Sequence, residues 1–278
     1  MKREEFVAAA WLDAGEVLRS RWLLLCLCVY TVLGAVFVLV GMRESSVYGF
    51  TGTGRVLFSL CHALVIVLPL LALLATGQIV NRARDDGSLE LLLSHPIGRT
   101  AYLSGVTLVR GFALTAPLAL VLGALVFLGA IAFDQPIPFT FLIRAFSIAV
   151  AQLVAFVGLG IATSVMVRHP ARAITVLFVI WATGVALLDF AGIALMLRWR
   201  IPAQAVFVLA ALNPVQAARM ALLSSAEPSL ATLGPVGFYL ANRVGSTALF
   251  VIGLVWPVFV GVSAWLAAWW AFCRGDLV

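Results

Sequence analysis

Charge is what this sequence has least of. Of its 278 residues only 11% are Asp, Glu, Lys or Arg, while 63% are apolar and the mean hydropathy is +1.12. Soluble domains carry about 25% charged residues because a folded surface must face water. So few charges cannot cover a soluble globule of this length, so the exterior faces hydrocarbon. Cysteine is also sparse. Cys26, Cys28, Cys61 and Cys273 form no CxxC pair, which sets aside a disulfide framework and a zinc module. Catalytic motifs are missing. Gly52-Thr53-Gly54-Arg55 and Gly98-Arg99-Thr100 are the nearest fragments to a phosphate-binding loop, and both lack its lysine and spacing. HExxH and GxSxG are absent, so no residue is assigned a catalytic role. Energy for any active process has to come from another protein or an ion gradient. No basic run is interleaved with aromatics, so the net charge of +6 and the pI of about 9.7 point to anionic lipid and not to nucleic acid.

Long apolar runs take the place of charge. A helix needs about 20 apolar residues to cross a bilayer. Six runs qualify, at 22–42, 56–80, 111–133, 145–167, 173–197 and about 244–272. They are apolar on all sides and too long for the short alternating strands of a membrane barrel. The first is too long for a signal-peptide core and is taken as an uncleaved crossing. The expectation is an all-α integral membrane protein with six transmembrane helices in a single domain, 1–278. With the N-terminus inside, inner segments hold Lys2, Arg3, Arg19, Arg21, Arg82, Arg84, Arg99, Arg110, Arg168, Arg172 and Arg274. Outer segments hold the smaller set Arg43, Arg55, Arg144, Arg198, Arg200, Arg219 and Arg243. The bias places both termini inside, and Trp265, Trp269 and Trp270 suit an interfacial belt near the inner end of the last helix.

Three parts lie outside the crossings. Residues 1–21 are amphipathic: Phe6, Ala10, Trp11, Val17 and Leu18 share a broad face, with Glu4, Glu5, Asp13 and Glu16 largely opposite. That pattern suits a helix on the inner membrane surface. An inner loop runs from Asn81 to Arg110, with 82–100 as its informative part, and the next crossing is expected from 111. The outer loop 198–243 is the longest, and its apolar stretch 203–212 is too short to cross, so it is expected to be half-buried or re-entrant.

The inner loop is the informative one. Asp86 or Ser88 can cap a short helix, Glu90 suits its first turn, and Pro96 ends it. This gives about two turns with a leucine face, either an interfacial lipid anchor or a helix that docks into a partner's groove.

Single residues weigh as follows. Asp189 is the one acid well inside an expected crossing, where a lone charge costs about 2.5–3.5 kcal/mol, so it should face the bundle interior. Cys26 and Cys28, two apart on a helix, point to different faces and make a poor metal site; they and His62 are taken as packing residues, and no metal is expected. Gly158 and Gly160 favour close helix packing. Pro69 and Pro257 fall inside crossings, and Arg168-His169-Pro170-Ala171-Arg172 reads as an inner turn.

The stretch Arg84-Asp85-Asp86-Gly87-Ser88-Leu89-Glu90-Leu91-Leu92-Leu93-Ser94-His95-Pro96-Ile97-Gly98-Arg99 resembles the first cytoplasmic loop of ABC-2 type transporter permeases. Gly15-Glu16-Val17-Leu18-Arg19-Ser20-Arg21-Trp22-Leu23 resembles the helix that opens those proteins. The resemblance implies an ABC-2 (type V) exporter-like architecture and a bacterial inner-membrane location. It also implies a homodimer and an ABC ATPase partner that binds ATP and Mg, with no cofactor in this chain. Asp85, Asp86, Ser88, Leu89, Glu90, Leu92, Leu93, Pro96 and Arg99 would then contact the ATPase. Leu188-Asp189-Phe190 and the outer Leu212-Asn213-Pro214-Val215-Gln216-Ala217-Ala218-Arg219 resemble the NosY sub-family, which marks Asn213, Pro214 and Arg219 as outer-loop positions of interest. That likeness implies a NosF-like ATPase and a NosD-like periplasmic partner. The implied task is to supply a sulfur species, or force, for the copper-sulfide cluster of nitrous-oxide reductase. The alternatives are an ABC-2 permease for a lipid or drug, an ion-driven transporter, for which one intramembrane acid is few, and a scaffold.

Overall fold

The computed structural model describes residues 3–48, 52–133, 139–187, 208, 210–226 and 245–275, without the side chains of 37–48, 52–58, 129, 130, 132, 133 and 226. Among the described residues every regular element is helical. In chain order they are α1 (Arg3–Arg19), α2 (Arg21–Tyr48), α3 (Gly52–Thr76), α4 (Ile79–Asp85) and α5 (Ser88–Leu93). Then come α6 (Arg99–Phe133), α7 (Phe139–Met166), α8 (Pro170–Ala182) with a π-helical turn at Thr183–Leu187, α9 (Pro214–Ala226) and α10 (Ser246–Arg274). Among the described residues five helical stretches are long and apolar enough to cross a membrane, and the pair Arg3–Arg19 and Arg21–Val36, bent by 62°, makes a sixth if taken as one span.

Five expected crossings overlap α3, α6, α7, α8 and α10, the fifth being described only as far as Leu187, and the first falls in α2, which counts as a span only together with α1; one boundary differs clearly. The third was expected from residue 111, yet α6 is helical from Arg99. The extra turns hold no proline, and α1 lies alongside them, so the stretch read as loop has a helix to pack on. Pro69, Pro117 and Pro257 all sit inside helices.

In lipid there is no water to drive apolar faces together, so helices associate by close packing of small residues and by hydrogen bonds. The central helix, α7, shows this. A Cβ on Gly158 would collide with the backbone of Gly261 on α10, and one on Gly261 would collide with the backbone of Val154 and Ala155. Gly160 meets the Thr76 hydroxyl of α3 in the same way. The backbone N–H of Val80 donates to Ser164 Oγ at 2.7 Å, tying α4 to α7. Thr76 opposite Gly160 and Val80 opposite Ser164 make α3–α4 and α7 run parallel.

The last helix runs antiparallel to two neighbours. Trp265 Nε1 donates to Thr107 Oγ1 at 2.9 Å and Trp269 Nε1 to Thr100 Oγ1 at 3.2 Å, pinning α10 to α6. These tryptophans bond inside the protein, while Trp270 is exposed with the Arg274 guanidinium 4.6 Å over its ring. On the other side Gly253 abuts Ala217 and Ala221 of α9, and Trp256 Nε1 donates to the Leu212 carbonyl at 2.8 Å.

A prediction follows for the α7–α10 contact. Gly158→Val should lower the detergent unfolding midpoint by an amount equivalent to about 1–3 kcal/mol, because the colliding atoms are backbone and cannot rotate away. Gly123→Ala, at a position with nothing within 4 Å, should leave it unchanged.

Candidate docking site

The loop between α3 and α6 is built on a buried foundation. After Thr76 the chain breaks at Gly77-Gln78 and resumes as α4, with Val80 and Asn81 buried. Arg84 Nη1 donates to the Val165 carbonyl at 2.9 Å, and its guanidinium lies 6.0 Å from the Phe272 ring centre. The end of α4 is thereby held to the ends of α7 and α10. Gly87 then takes φ 73°, the left-handed region that favours glycine, and turns the chain into α5. Asp86 Oδ1 accepts from the Ser88 N–H at 3.0 Å, so the expected capping function falls to Asp86, one residue ahead of the helix boundary. Hydrogen bonding to Ser88, side chain first and then backbone, holds the exposed Asp86 carboxyl below the usual carboxylate range and keeps it anionic.

On α5 the leucines divide. Leu89 is 1% exposed and belongs to the chain's own core, with Leu92 and Leu93 half-buried against it. Leu91, which the sequence reading left out, is 69% exposed beside exposed Glu90. Asp85, Asp86, Ser88 and Pro96 are exposed as well. Ser94 Oγ donates to the Leu91 carbonyl at 2.7 Å and His95 Nδ1 lies 3.1 Å from it, closing the helix before Pro96. The loop therefore offers one protruding leucine in an acidic surround on a short helix anchored from beneath. Arg99 turns the other way: its Nη1 donates to the carbonyls of Phe272, Cys273 and Gly275 at 3.2, 3.2 and 3.0 Å.

A second support comes from α1. Its helix runs parallel to the start of α6. Glu5 Oε2 accepts from the Gly98 N–H at 3.4 Å, and Gly105 leaves room for Ala9 and Ala10. Arg110 Nη2 and Nε donate to Asp13 Oδ1 and Oδ2 at 2.8 and 3.1 Å, with Glu16 3.5 Å from the same guanidinium. Asp13 was expected on the outer polar face. It is buried instead, with Ala9 and Val17, because Arg110 stands opposite. Trp11 and Leu18 stay exposed, so the broad apolar face read from the sequence is split between α6 and the exterior.

The outer candidates lie elsewhere. Asn213 is buried at 3% exposure; its Oδ1 accepts from the Val215 N–H at 3.0 Å and its Nδ2 donates to the Gly184 carbonyl at 2.6 Å. It caps α9, whose first residue is Pro214, and satisfies a carbonyl of the π turn. Arg219 is half-buried on the same helix. Leu212, bonded to Trp256, lies at a level sixteen residues up α10 from Phe272, about 24 Å of helix away from the docking loop. Asp189 and most of 198–243 lie outside the described residues. Cys26 is buried and Cys28 exposed, on different faces as the spacing requires. Among the described residues no three His, Cys, Asp or Glu side chains group closely enough to hold a metal.

The sequence profile of the family described as "ABC-2 family transporter protein" matches residues 7–277. The chain belongs to that family. It is also similar to two curated chains called "Probable ABC transporter permease protein NosY". One, from Stutzerimonas stutzeri, is 27% identical over 261 residues, 92% of this chain and 93% of the relative. The other, from Pseudomonas aeruginosa PAO1, is 25% identical over 250 residues, 88% and 90% of the two lengths. The protein is thus a NosY-like, multi-pass permease subunit of an ABC transporter, a class of membrane subunit that works with a separate ATPase.

The Asp13–Arg110 pair yields a prediction. Asp13→Ala leaves the buried Arg110 only the exposed Glu16 as a partner and should cost up to about 3 kcal/mol, read as a lower unfolding midpoint and faster proteolysis of α1. Asp13→Asn combined with Arg110→Gln should recover most of that loss.

Proposed function

We propose that α5 is the coupling helix of this permease. ATP binding closes the partner ATPase, which carries Mg and nucleotide, and the ATPase presses on the loop 82–100 through Leu91 and the acidic residues Asp85, Asp86 and Glu90. The observation that carries this reading is the construction of α5: one exposed leucine on a helix whose other leucines bind it to the bundle. A lipid anchor would turn several leucines outward. Leu89, Leu92 and Leu93 act as the foundation of the site, and Pro96 ends it. The partner's groove should hold an apolar slot rimmed by cations.

The docking end is the cytoplasmic one in this reading, with both termini there. Arg82, Arg84, Arg99, Arg168, Arg172 and Arg274 gather at that end of the helices, as the positive-inside rule requires. Residues 1–278 act as one permease domain in a bacterial inner membrane. The exposed Val7, Trp11 and Leu18 of α1 lie toward lipid. Two copies of the chain pair with two ATPase subunits. The likeness to NosY supports the finer assignment: force or a sulfur species is delivered to a NosD-like periplasmic partner for assembly of the copper-sulfide cluster of nitrous-oxide reductase. Asp189, if it lines the path, would make Asp189→Asn inactive while membrane insertion persists.

Docking is tested by co-expression with the cognate ATPase. Glu90→Arg and Leu91→Asp should each cut co-purified ATPase at least about tenfold, equivalent to about 1.4 kcal/mol, with insertion unchanged. Retention of the ATPase by both variants would overturn the assignment. A complex whose ATP hydrolysis answers to a lipid or drug would keep the docking site and replace the cargo.

A further inference from the structure

We propose that Arg99 is a positioning residue that delivers displacement of the docking loop to α10 and, through α10, to α9. The proposal rests on the docking reading above and extends it to the route that the movement takes.

The last carbonyls of a helix have no intrahelical donor, and they form the negative end of its dipole. At the end of α10 the carbonyls of Phe272, Cys273 and Gly275 converge on one donor, Arg99 Nη1, at 3.2, 3.2 and 3.0 Å. Basic residues commonly cap a helix from within that helix. Here the cap arrives from a residue 173 positions earlier in the chain, at the first residue of α6. The docking loop therefore ends where the cap of α10 begins.

The link between them is short and held. Only Ile97 and Gly98 separate Pro96 from Arg99. Ile97 packs on the core and the Gly98 N–H bonds Glu5. Beyond the cap, Trp269–Thr100 and Trp265–Thr107 repeat the connection along α6 and α10. A push on α5 thus meets α10 through three consecutive contacts.

Further along, α10 holds α9. Gly253 lets the backbone of α9 approach at Ala217, and Trp256 bonds the Leu212 carbonyl just before α9 starts. Asn213 then grips Gly184 within the π turn Thr183–Leu187. A π turn is an irregular stretch often found at functional sites. The physical route is continuous from Pro96 to Gly184, and Arg99 is where it enters the end of α10.

The test uses the full chain in complex with its ATPase, with the exposed Cys28 and the partly exposed Cys273 replaced by serine. Spin labels at Phe139→Cys on α7 and Leu212→Cys just before α9, both exposed positions away from the inner end, report the distance between α7 and the start of α9 with and without vanadate-trapped ATP. R99Q should still co-purify the ATPase while the nucleotide-dependent distance change falls at least about fourfold, and R99K should restore it. Inserting two glycines between Gly98 and Arg99 keeps the cap but slackens the link, and should cause the same loss. The insertion decides the matter should R99Q not fold. A full distance change in R99Q or in the insertion variant overturns the proposal and leaves docking standing. A wild-type complex with no distance change also overturns it. Failure of the wild-type chain to bind any cognate ATPase would sink the docking reading, and this proposal with it.

Discussion

The backbones of α7 and α10 touch where Gly158 meets Gly261, and the other helices are placed by that contact. Hydrocarbon offers no hydrophobic gain for bringing two apolar helices together, so close approach has to come from removing side chains at the crossing. With α7 and α10 fixed, α3 fits against Gly160, α4 against Ser164, and α9 against Gly253. The polar bonds that remain are short ones between neighbours: threonine to tryptophan, serine to backbone, asparagine to a carbonyl.

Arginines gather at the end of the helices that carries α4 and α5. They do more than mark one side of a membrane. Arg84 holds the end of α7, Arg99 holds the end of α10, and Arg110 holds α1. Each guanidinium meets a carbonyl or carboxylate oxygen of another element, and together they make a stiff platform under a small exposed helix. A platform of this kind suits a subunit that has no nucleotide loop of its own and takes force from a partner. The family assignment and the geometry meet at this point: the loop that resembles the ATPase-contacting segment is also held from beneath by Arg84 and Arg99.

Much of this was legible in the sequence. Apolar runs of crossing length located the membrane helices, and Gly158 and Gly160 were read as packing residues. Asp86, Glu90 and Pro96 marked the short helix, because turn and cap chemistry is local. The division of its leucines was not legible. Over six residues of helix, periodicity cannot say which side faces the bundle, and so Leu91 was passed over. The pairing of Asp13 with Arg110 spans 97 residues. From the sequence each is a lone charge near an expected membrane boundary, and only the parallel packing of α1 on α6 joins them. The same packing made helix of residues 99–110, which composition alone left as loop. Arg99 reads in the sequence as an inner arginine and, by resemblance, as an ATPase contact, whereas in the structure it caps the end of α10.

The central claim is that α5 meets an ATPase through its exposed edge. Site-specific photo-crosslinking in native membranes tests this most directly, with a benzophenone side chain placed at Leu91 and, for comparison, at the exposed Leu120 of α6. The account predicts a covalent adduct with the ATPase from position 91 and none from position 120. Lipid adducts alone from position 91, in cells that contain the cognate ATPase, would contradict it.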